Sequence, residues 1–253
     1  MMEAESMGKV VFSDARVWRY LMAAIGKIIE EGILKFSEDA LVLKAMDPSH
    51  IVLIDLYVPH TIFEEYDVEG GEKLGVNFND IVKIFKRSTK NDKLALEFSK
   101  NKLAISFLGS SERKFVLPLL TLSEEEIPEP KIKFKVTARM TSATFRDVLR
   151  DIEPVSEAVK FIGEEEGVLR IVGYGSKGEA EVQLSSETGT LIDISVEERS
   201  EATYSFDYFK DIALASQAAE TTIIMFSTNI PCRLDFVLAG EARLSFYIAP
   251  RIE

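Results

Sequence analysis

The chain has one cysteine, one tryptophan, two histidines and no long apolar run. A lone Cys232 excludes an internal disulfide, and its apolar neighbours mark it as a small core residue of a protein kept in a reducing cytosol. His50 and His60 lack a Cys or second His at ligand spacing, so no metal or other cofactor is expected. The longest apolar stretches are strand-sized, such as Ile51-Val52-Leu53-Ile54, well short of the roughly eighteen residues of a membrane helix. No membrane association is therefore expected. The opening Met1-Met2-Glu3-Ala4-Glu5-Ser6 has neither a basic region nor an apolar core, so it is not a signal peptide, and residues 1–8 read as a loose extension. Amides are scarce as well: two Gln and five Asn stand against 42 acidic and 30 basic residues, a balance that fits heat adaptation. What is present, 46% hydrophobic and 28% charged residues, is the composition of a soluble folded protein.

A chain of 253 residues accommodates two domains of ordinary size, and the sequence repeats itself in that way. Residues 9–47 read as strand, helix and two strands, and 134–175 repeat the order. Leu34-Lys35-Phe36 answers Val159-Lys160-Phe161, Phe78 answers Phe206, and Glu97-Phe98-Ser99 answers Met225-Phe226-Ser227. Duplication on this scale predicts two domains of one shape. Helical spacing appears at 14–29, 79–87, 142–152 and 206–218. Short strands are expected at 41–44, 94–98, 103–107, 114–120, 168–172, 179–184, 222–226 and 243–248. Two helices and many hairpin-spaced strands per half give an α+β fold of antiparallel sheets. The division expected is an extension over 1–8, a first domain over 9–119, a linker over 120–131 and a second domain over 132–253. The linker core, Leu122-Ser123-Glu124-Glu125-Glu126-Ile127-Pro128-Glu129-Pro130, is acidic and held extended by its prolines.

The net charge of −12 counts at first sight against nucleic acid, yet its distribution says otherwise. On a helical wheel Arg16, Arg19, Ala23 and Lys27 fall within an arc of about 80°, opposite Trp18, Leu21, Met22 and Ile25. Lys83, Lys86, Arg87 and Lys90 cluster in the same way opposite Ile81, Val82, Ile84 and Phe85. A solvated helix face often carries such residues. Two nearly pure basic faces in an acidic chain point instead to a polyanion surface. In the second half Arg146 and Arg150 share a face with Asp147 and Asp151 beside them, and Lys210 lies between Asp207 and Asp211. With no zinc-finger spacing and no aromatic RNA-binding string, these faces suit sequence-independent phosphate tracking.

Catalytic patterns are few. Gly173-Tyr174-Gly175-Ser176-Lys177-Gly178 satisfies GxGxxG after a strand, but the alternating Glu179-Ala180-Glu181-Val182-Gln183-Leu184 follows where a dinucleotide site needs a helix. A hairpin turn is expected, and an acidic nucleotide-binding enzyme using this loop is the alternative from another class. Ser49 and His50 are neighbours on the chain and make no nucleophile–base pair. The glutamates at 124–126 and 164–166 read as solvated charge. No catalytic residue is expected.

The most specific run is Ala45-Met46-Asp47-Pro48-Ser49-His50-Ile51-Val52-Leu53-Ile54-Asp55-Leu56, a turn with His50 at its exit followed by an apolar strand. It resembles the signature of the proliferating cell nuclear antigen family of DNA sliding clamps. So do Gly75-Val76-Asn77-Phe78, Ile127-Pro128-Glu129 and the ending Tyr247-Ile248-Ala249-Pro250-Arg251-Ile252-Glu253. The resemblance covers essentially the whole chain. It implies three two-domain subunits closed into a pseudo-six-fold ring around duplex DNA, a non-enzymatic processivity factor for DNA replication and repair. A clamp loader, replication factor C, would open the ring; DNA polymerase, flap endonuclease and DNA ligase would dock through short glutamine-bearing motifs. The lining positions match well at Arg16, Arg19, Lys83 and Lys86, less closely at Arg150 and poorly at Lys210. The partner pocket carries over to Met46, His50, Ile51, Leu53, Ile127, Pro128, Pro231, Tyr247, Ala249 and Pro250. Glu125 stands where many relatives have leucine, which implies either that Leu122 substitutes or that this subunit prefers a different set of partners. Ring closure should join edge strands head-to-tail, one carrying Lys114, Val116 and Pro118, the other Glu179, Glu181 and Gln183. The heat-adapted composition looks archaeal, which implies a cytoplasmic, nucleoid-associated protein (nuclear if eukaryotic). A ring formed only with paralogous subunits is the alternative within the family.

Overall fold

A computed structural model describes residues 7–251 of the chain. Most of the extension expected over 1–8, and the last two residues of the C-terminal motif, lie outside the described residues. Gly8 already opens the first strand, and the Met7 N–H donates to the Phe98 carbonyl at 2.9 Å.

The first half runs β1 (Gly8–Phe12), α1 (Ala15–Ile28), β2 (Glu31–Phe36), β3 (Ala40–Met46), β4 (Val52–Pro59), β5 (Glu65–Val68), β6 (Glu72–Asn77), α2 (Phe78–Phe85), β7 (Lys93–Ser99), β8 (Lys102–Leu108) and β9 (Glu112–Pro118). The second half repeats it as β10 (Val136–Thr141), α3 (Ser142–Ile152), β11 (Ala158–Glu164), β12 (Val168–Gly175), β13 (Gly178–Ser185), β14 (Asp193–Val196), β15 (Ser200–Ser205), α4 (Phe206–Ile212), β16 (Thr221–Phe226), β17 (Cys232–Val237) and β18 (Arg243–Ile248). Every strand of the first half thus has a counterpart in the second. Phe78 and Phe206 each open a helix and are each buried.

Among the described residues the strands form three antiparallel sheets, in the orders β5-β1-β7-β8-β9, β14-β10-β16-β17-β18-β4-β3-β2-β6, and β13-β12-β11-β15. The nine-stranded sheet is two counterparts joined. Its β14-to-β18 part matches the separate five-stranded sheet, and its β4-to-β6 part matches the separate four-stranded sheet. The seam is the pairing of β18 with β4, in which Ser245 faces Asp55 and Tyr247 faces Leu53. The counterparts of those two strands, β9 and β13, remain as edges of their own sheets.

The registers fix which residues correspond. Glu97 and Met225 are equivalent; Glu97 pairs with Ala104, which pairs with Val116, while Met225 pairs with Arg233, which pairs with Tyr247. Val116 therefore corresponds to Tyr247, and Lys114 to Ser245. By the same route Phe36 leads through Leu41 to Val58, and Phe161 through Ile171 to Val182. Asp55 therefore corresponds to Glu179.

The helices lie together. α1 starts at Asp14, whose side chain accepts from the Arg16 N–H, and it buries Trp18, Leu21, Met22, Ile25 and Ile28. It packs against α2, α4 and a 3-10 segment over Ala213–Gln217, and α3 packs on that same segment. Helix spacing thus ends at Ile212, and the rest of the stretch expected over 206–218 tightens to 3-10 geometry. At the α1–α2 crossing a Cβ on Gly26 would lie 2.9 Å from Val82 Cγ2, so only glycine permits this approach.

Between Pro118 and Val136 the chain crosses from one half to the other, with a single bridge between Gly75 and Leu120. A Cβ on Gly75 would lie 2.2 Å from the Leu120 carbonyl oxygen. Gly75→Ala should break this bridge, lowering stability by about 1–3 kcal/mol, to be read as a lower thermal midpoint; an unchanged midpoint would show that the contact is dispensable.

Candidate functional site

The basic residues of the helical layer fall into two groups. Some are tied to nearby carboxylates: Arg16 to Asp14 at 2.7 Å, Lys83 to Asp80 at 3.0 Å, Arg150 to Asp147 at 3.1 Å, Lys27 to Asp211 at 3.5 Å, and Lys210 to Glu153. The Asp14 hydrogen bond raises the Arg16 guanidinium further above its ordinary value. Arg19 instead lies over the Tyr20 ring at 5.9 Å, and Lys86 is exposed at the end of α2. Arg16, Arg146 and Arg150 line one open hollow of about 570 Å³ between α1 and α3, together with Tyr20 and Gln217. The two halves thus bring their arginines to a common surface.

Arg87 and Lys90 do not continue the basic helix face, because α2 ends at Phe85. The Ser88 hydroxyl donates to the Phe85 carbonyl and the Asp92 carboxylate accepts from the Thr89 N–H, so the chain turns away. The Arg87 carbonyl accepts from Arg113 at 2.8 Å. Both residues are exposed but stand beyond the helix.

On the opposite side, the outer face of the nine-stranded sheet carries a cross-strand row: Met46 faces Leu53, Leu53 faces Tyr247, and Tyr247 faces Arg233. The Arg233 guanidinium lies 5.3 Å from the centre of the Tyr247 ring and is paired with Asp235 at 2.7 Å. The segment after Leu120 runs beside this face. Met46, Leu122 and Ile127 line one groove of about 250 Å³, and Pro128 lines its continuation past Lys35 and Lys44. The Ala249 N–H donates to the Ile51 carbonyl at 2.9 Å, extending the β18–β4 seam. His50 is exposed, in the left-handed region at φ 56°, with its N–H on the Asp47 carbonyl. Pro231 is half-buried just before β17, and Pro250 borders a separate hollow with Lys160 and Thr203. Leu53, Tyr247, His50, Pro231 and Pro250 lie outside the lining of these two hollows.

β9 replaces the strand expected over 114–120: it starts at Glu112 and stops at Pro118, because Leu120 turns to bridge Gly75. Along it Lys114, Val116 and Pro118 are exposed, and Lys114 is held by Glu97 at 2.8 Å. On the other edge Glu179, Glu181 and Gln183 point outward from β13. Arg170 grips Glu181 through two bonds of 2.9 and 2.7 Å, which draws its carboxyl down to about 2. The stretch 173–178 is the two-residue hairpin expected, with Gly175 paired to Gly178 and β13 following directly. A strand where the nucleotide alternative needs a helix N-terminus removes that alternative's phosphate cradle. Among the described residues no cluster of three His, Cys, Asp or Glu is arranged to hold a metal, and no helix is long and apolar enough to cross a membrane.

Two independent matches now decide the family. Residues 2–121 match the proliferating cell nuclear antigen N-terminal domain, and residues 126–251 match its C-terminal domain. The chain belongs to the proliferating cell nuclear antigen family. It is 42% identical over 244 residues to DNA polymerase sliding clamp 3 of Aeropyrum pernix, covering 96% of this chain and 97% of that one. It is 39% identical over 248 residues to the DNA polymerase sliding clamp of Thermofilum pendens, covering 98% and 100%. A PCNA2–PCNA3 complex from Sulfolobus tokodaii superposes with a TM-score of 0.92 at 32% identity, covering 97% of this chain and 100% of that chain.

Two features of this family member escape a reading of residue types alone. Asp47 is buried and its carboxylate accepts from the N–H groups of Ser49, Ile51 and Val52, so one side chain shapes the signature turn. Glu124 and Glu164 are not free solvated charge. Arg170 and Arg199 hold Glu164 at 3.3 and 3.1 Å. Lys35 and Lys73 both hold Glu124, and their hydrogen bonds lower its carboxyl from an ordinary 4.5 to about 2. A carboxyl depressed on folding stabilises the latched form above its unfolded value and loses that effect as pH falls from about 4.5 toward 2. Glu124→Gln should accordingly loosen the linker at neutral pH, read as greater mobility of a spin label at Ser123. The wild-type segment should loosen by the same measure only on acidification through that window; equal mobility in both proteins at pH 7 would show that the latch holds nothing.

Proposed function

We propose that this chain is a subunit of a DNA polymerase sliding clamp, a processivity factor that encircles duplex DNA in a trimeric ring and tethers replication and repair enzymes. The observation that carries this reading is the pair of unsatisfied edges. Within the chain, β18 closes onto β4; their counterparts β9 and β13 face outward. The same joint made between copies is head-to-tail, and six equal joints (three within chains, three between) close a ring. Carrying the β18–β4 register across pairs Lys114 with Glu179 of the next copy, and Arg113 with Ala180. The helices then line the hole, with Arg16, Arg19, Lys83, Lys86, Arg146 and Arg150 toward DNA phosphates. Lys27 and Lys210, paired with Asp211 and Glu153, belong to the same layer.

Partners dock where the groove of Met46, Leu122 and Ile127 meets the Leu53–Tyr247 row, with His50, Pro231, Ala249 and Pro250 completing the surface, and an apolar anchor enters beside the linker. Replication factor C loads the ring, and polymerase, flap endonuclease and ligase take turns on it in the cytoplasm at the nucleoid. The chain itself performs no chemistry. A second reading has its own support: a relative of 32% identity was solved as a PCNA2–PCNA3 complex, so this subunit closes rings with paralogues.

Two tests bear on this directly. In a ring of identical chains, Lys114→Glu should reduce ring mass in sedimentation and adding Glu179→Lys should restore it; failure of the double variant to recover a ring that the wild type forms would refute the register. Lys83→Ala with Lys86→Ala should reduce loading or processive synthesis on primed circular DNA while leaving partner-peptide affinity intact. Equal loss of both would contradict the separation of the two faces.

A further inference from the structure

One row further along the same outer face, Lys44 faces Asp55, Asp55 faces Ser245, and Ser245 faces Asp235. Core-facing Ile54, Phe246 and Leu234 alternate with them, so all four residues stand on the outer side. Asp235 has its cation in Arg233, at 2.7 Å. Asp55 has no hydrogen bond or ion pair among the described residues. Ser245 between them is 0% exposed, and its Oγ has no hydrogen-bond partner, a costly state for a buried hydroxyl.

The internal repeat explains what is missing. Ser245 occupies the place of Lys114, and Asp55 that of Glu179, so the joint between copies pairs a cation with a carboxylate. The joint inside the chain has kept the carboxylate and replaced the cation across this seam with a hydroxyl, so that Lys44 on β3 and the arginines at 233 and 243 act on Asp55 without an ion pair. Burial pushes the Asp55 carboxyl above its ordinary value; Lys44, Arg243 and Arg233 pull it down, and Glu129 pushes it up again. Glu129 acts on Tyr247 as well, so the linker passes close to both residues. Asp55 is two residues along β4 from Leu53, roughly 6.6 Å away on one face of the strand.

We propose that Asp55 is an anionic subsite of the partner groove, which takes the lysine or arginine side chain of a docked segment beside its apolar anchor. The incoming cation replaces the one that Ser245 lacks, and the acidic linker favours the same sign of charge. This inference rests on the docking reading above, and the two are separable by experiment.

Short synthetic peptides carrying a glutamine with apolar and aromatic anchors would be titrated into the full chain, in matched versions with flanking lysines or alanines. The wild type should prefer the lysine version by about tenfold. In Asp55→Asn that preference should fall by at least about threefold, whereas Glu125→Gln with Glu126→Gln should leave most of it. Ser245→Lys, which rebuilds the missing cation, should also abolish it. A preference that survives Asp55→Asn, or is absent from the wild type, overturns the subsite while docking stands. Failure of both peptides to bind the wild type overturns docking and the subsite together.

Discussion

The pairing of β18 with β4 is the constraint on which the rest of the molecule depends. An edge strand presents a row of unpaired backbone donors and acceptors, and such a row must be paired, covered or blunted. Here two sheets from different halves satisfy each other's edges, and the nine-stranded sheet that results makes one rigid outer wall from two repeats. That wall sets the relative orientation of the helices on its inner side. It also places Leu53 of one half directly against Tyr247 of the other. The same physics leaves β9 and β13 open. A duplicated domain that closes one such joint internally has, by its own symmetry, specified the next one externally.

Much of this was readable from residues. The alternating apolar strands, the wheel of α1, the hairpin at 173–178 and the equivalence of Phe78 and Phe206 are all local patterns, which periodicity reports directly. The edge strands were found because exposed alternation in Lys114–Val116 and Glu179–Gln183 is also local. Other features depend on residues distant in the chain. Arg87 and Lys90 satisfied the wheel, but Ser88 and Asp92 end the helix first, and Arg113 from β9 fixes the turn. Glu124 looked like one of three equivalent glutamates until the fold brought Lys35 and Lys73 beneath it. The open carboxylate of Asp55 was invisible for the same reason: nothing in Leu53-Ile54-Asp55 says that a serine will stand opposite.

The acidic net charge and the basic helices serve one purpose rather than conflicting. A ring that holds DNA by topology gains nothing from tight phosphate contacts, and tight contacts would slow sliding. The helical layer fits that demand. Exposed ion pairs such as Arg16–Asp14 and Arg150–Asp147 are weak, so in the proposed ring their arginines exchange a carboxylate for a passing phosphate with little net change. Each carboxylate is thus a waiting partner that lowers the depth of any one binding register on DNA. Arg19 and Lys86, without such partners among the described residues, keep the attraction from vanishing. On the reading proposed above, the two faces take different ligands: phosphate toward the helices, and protein segments toward the sheet.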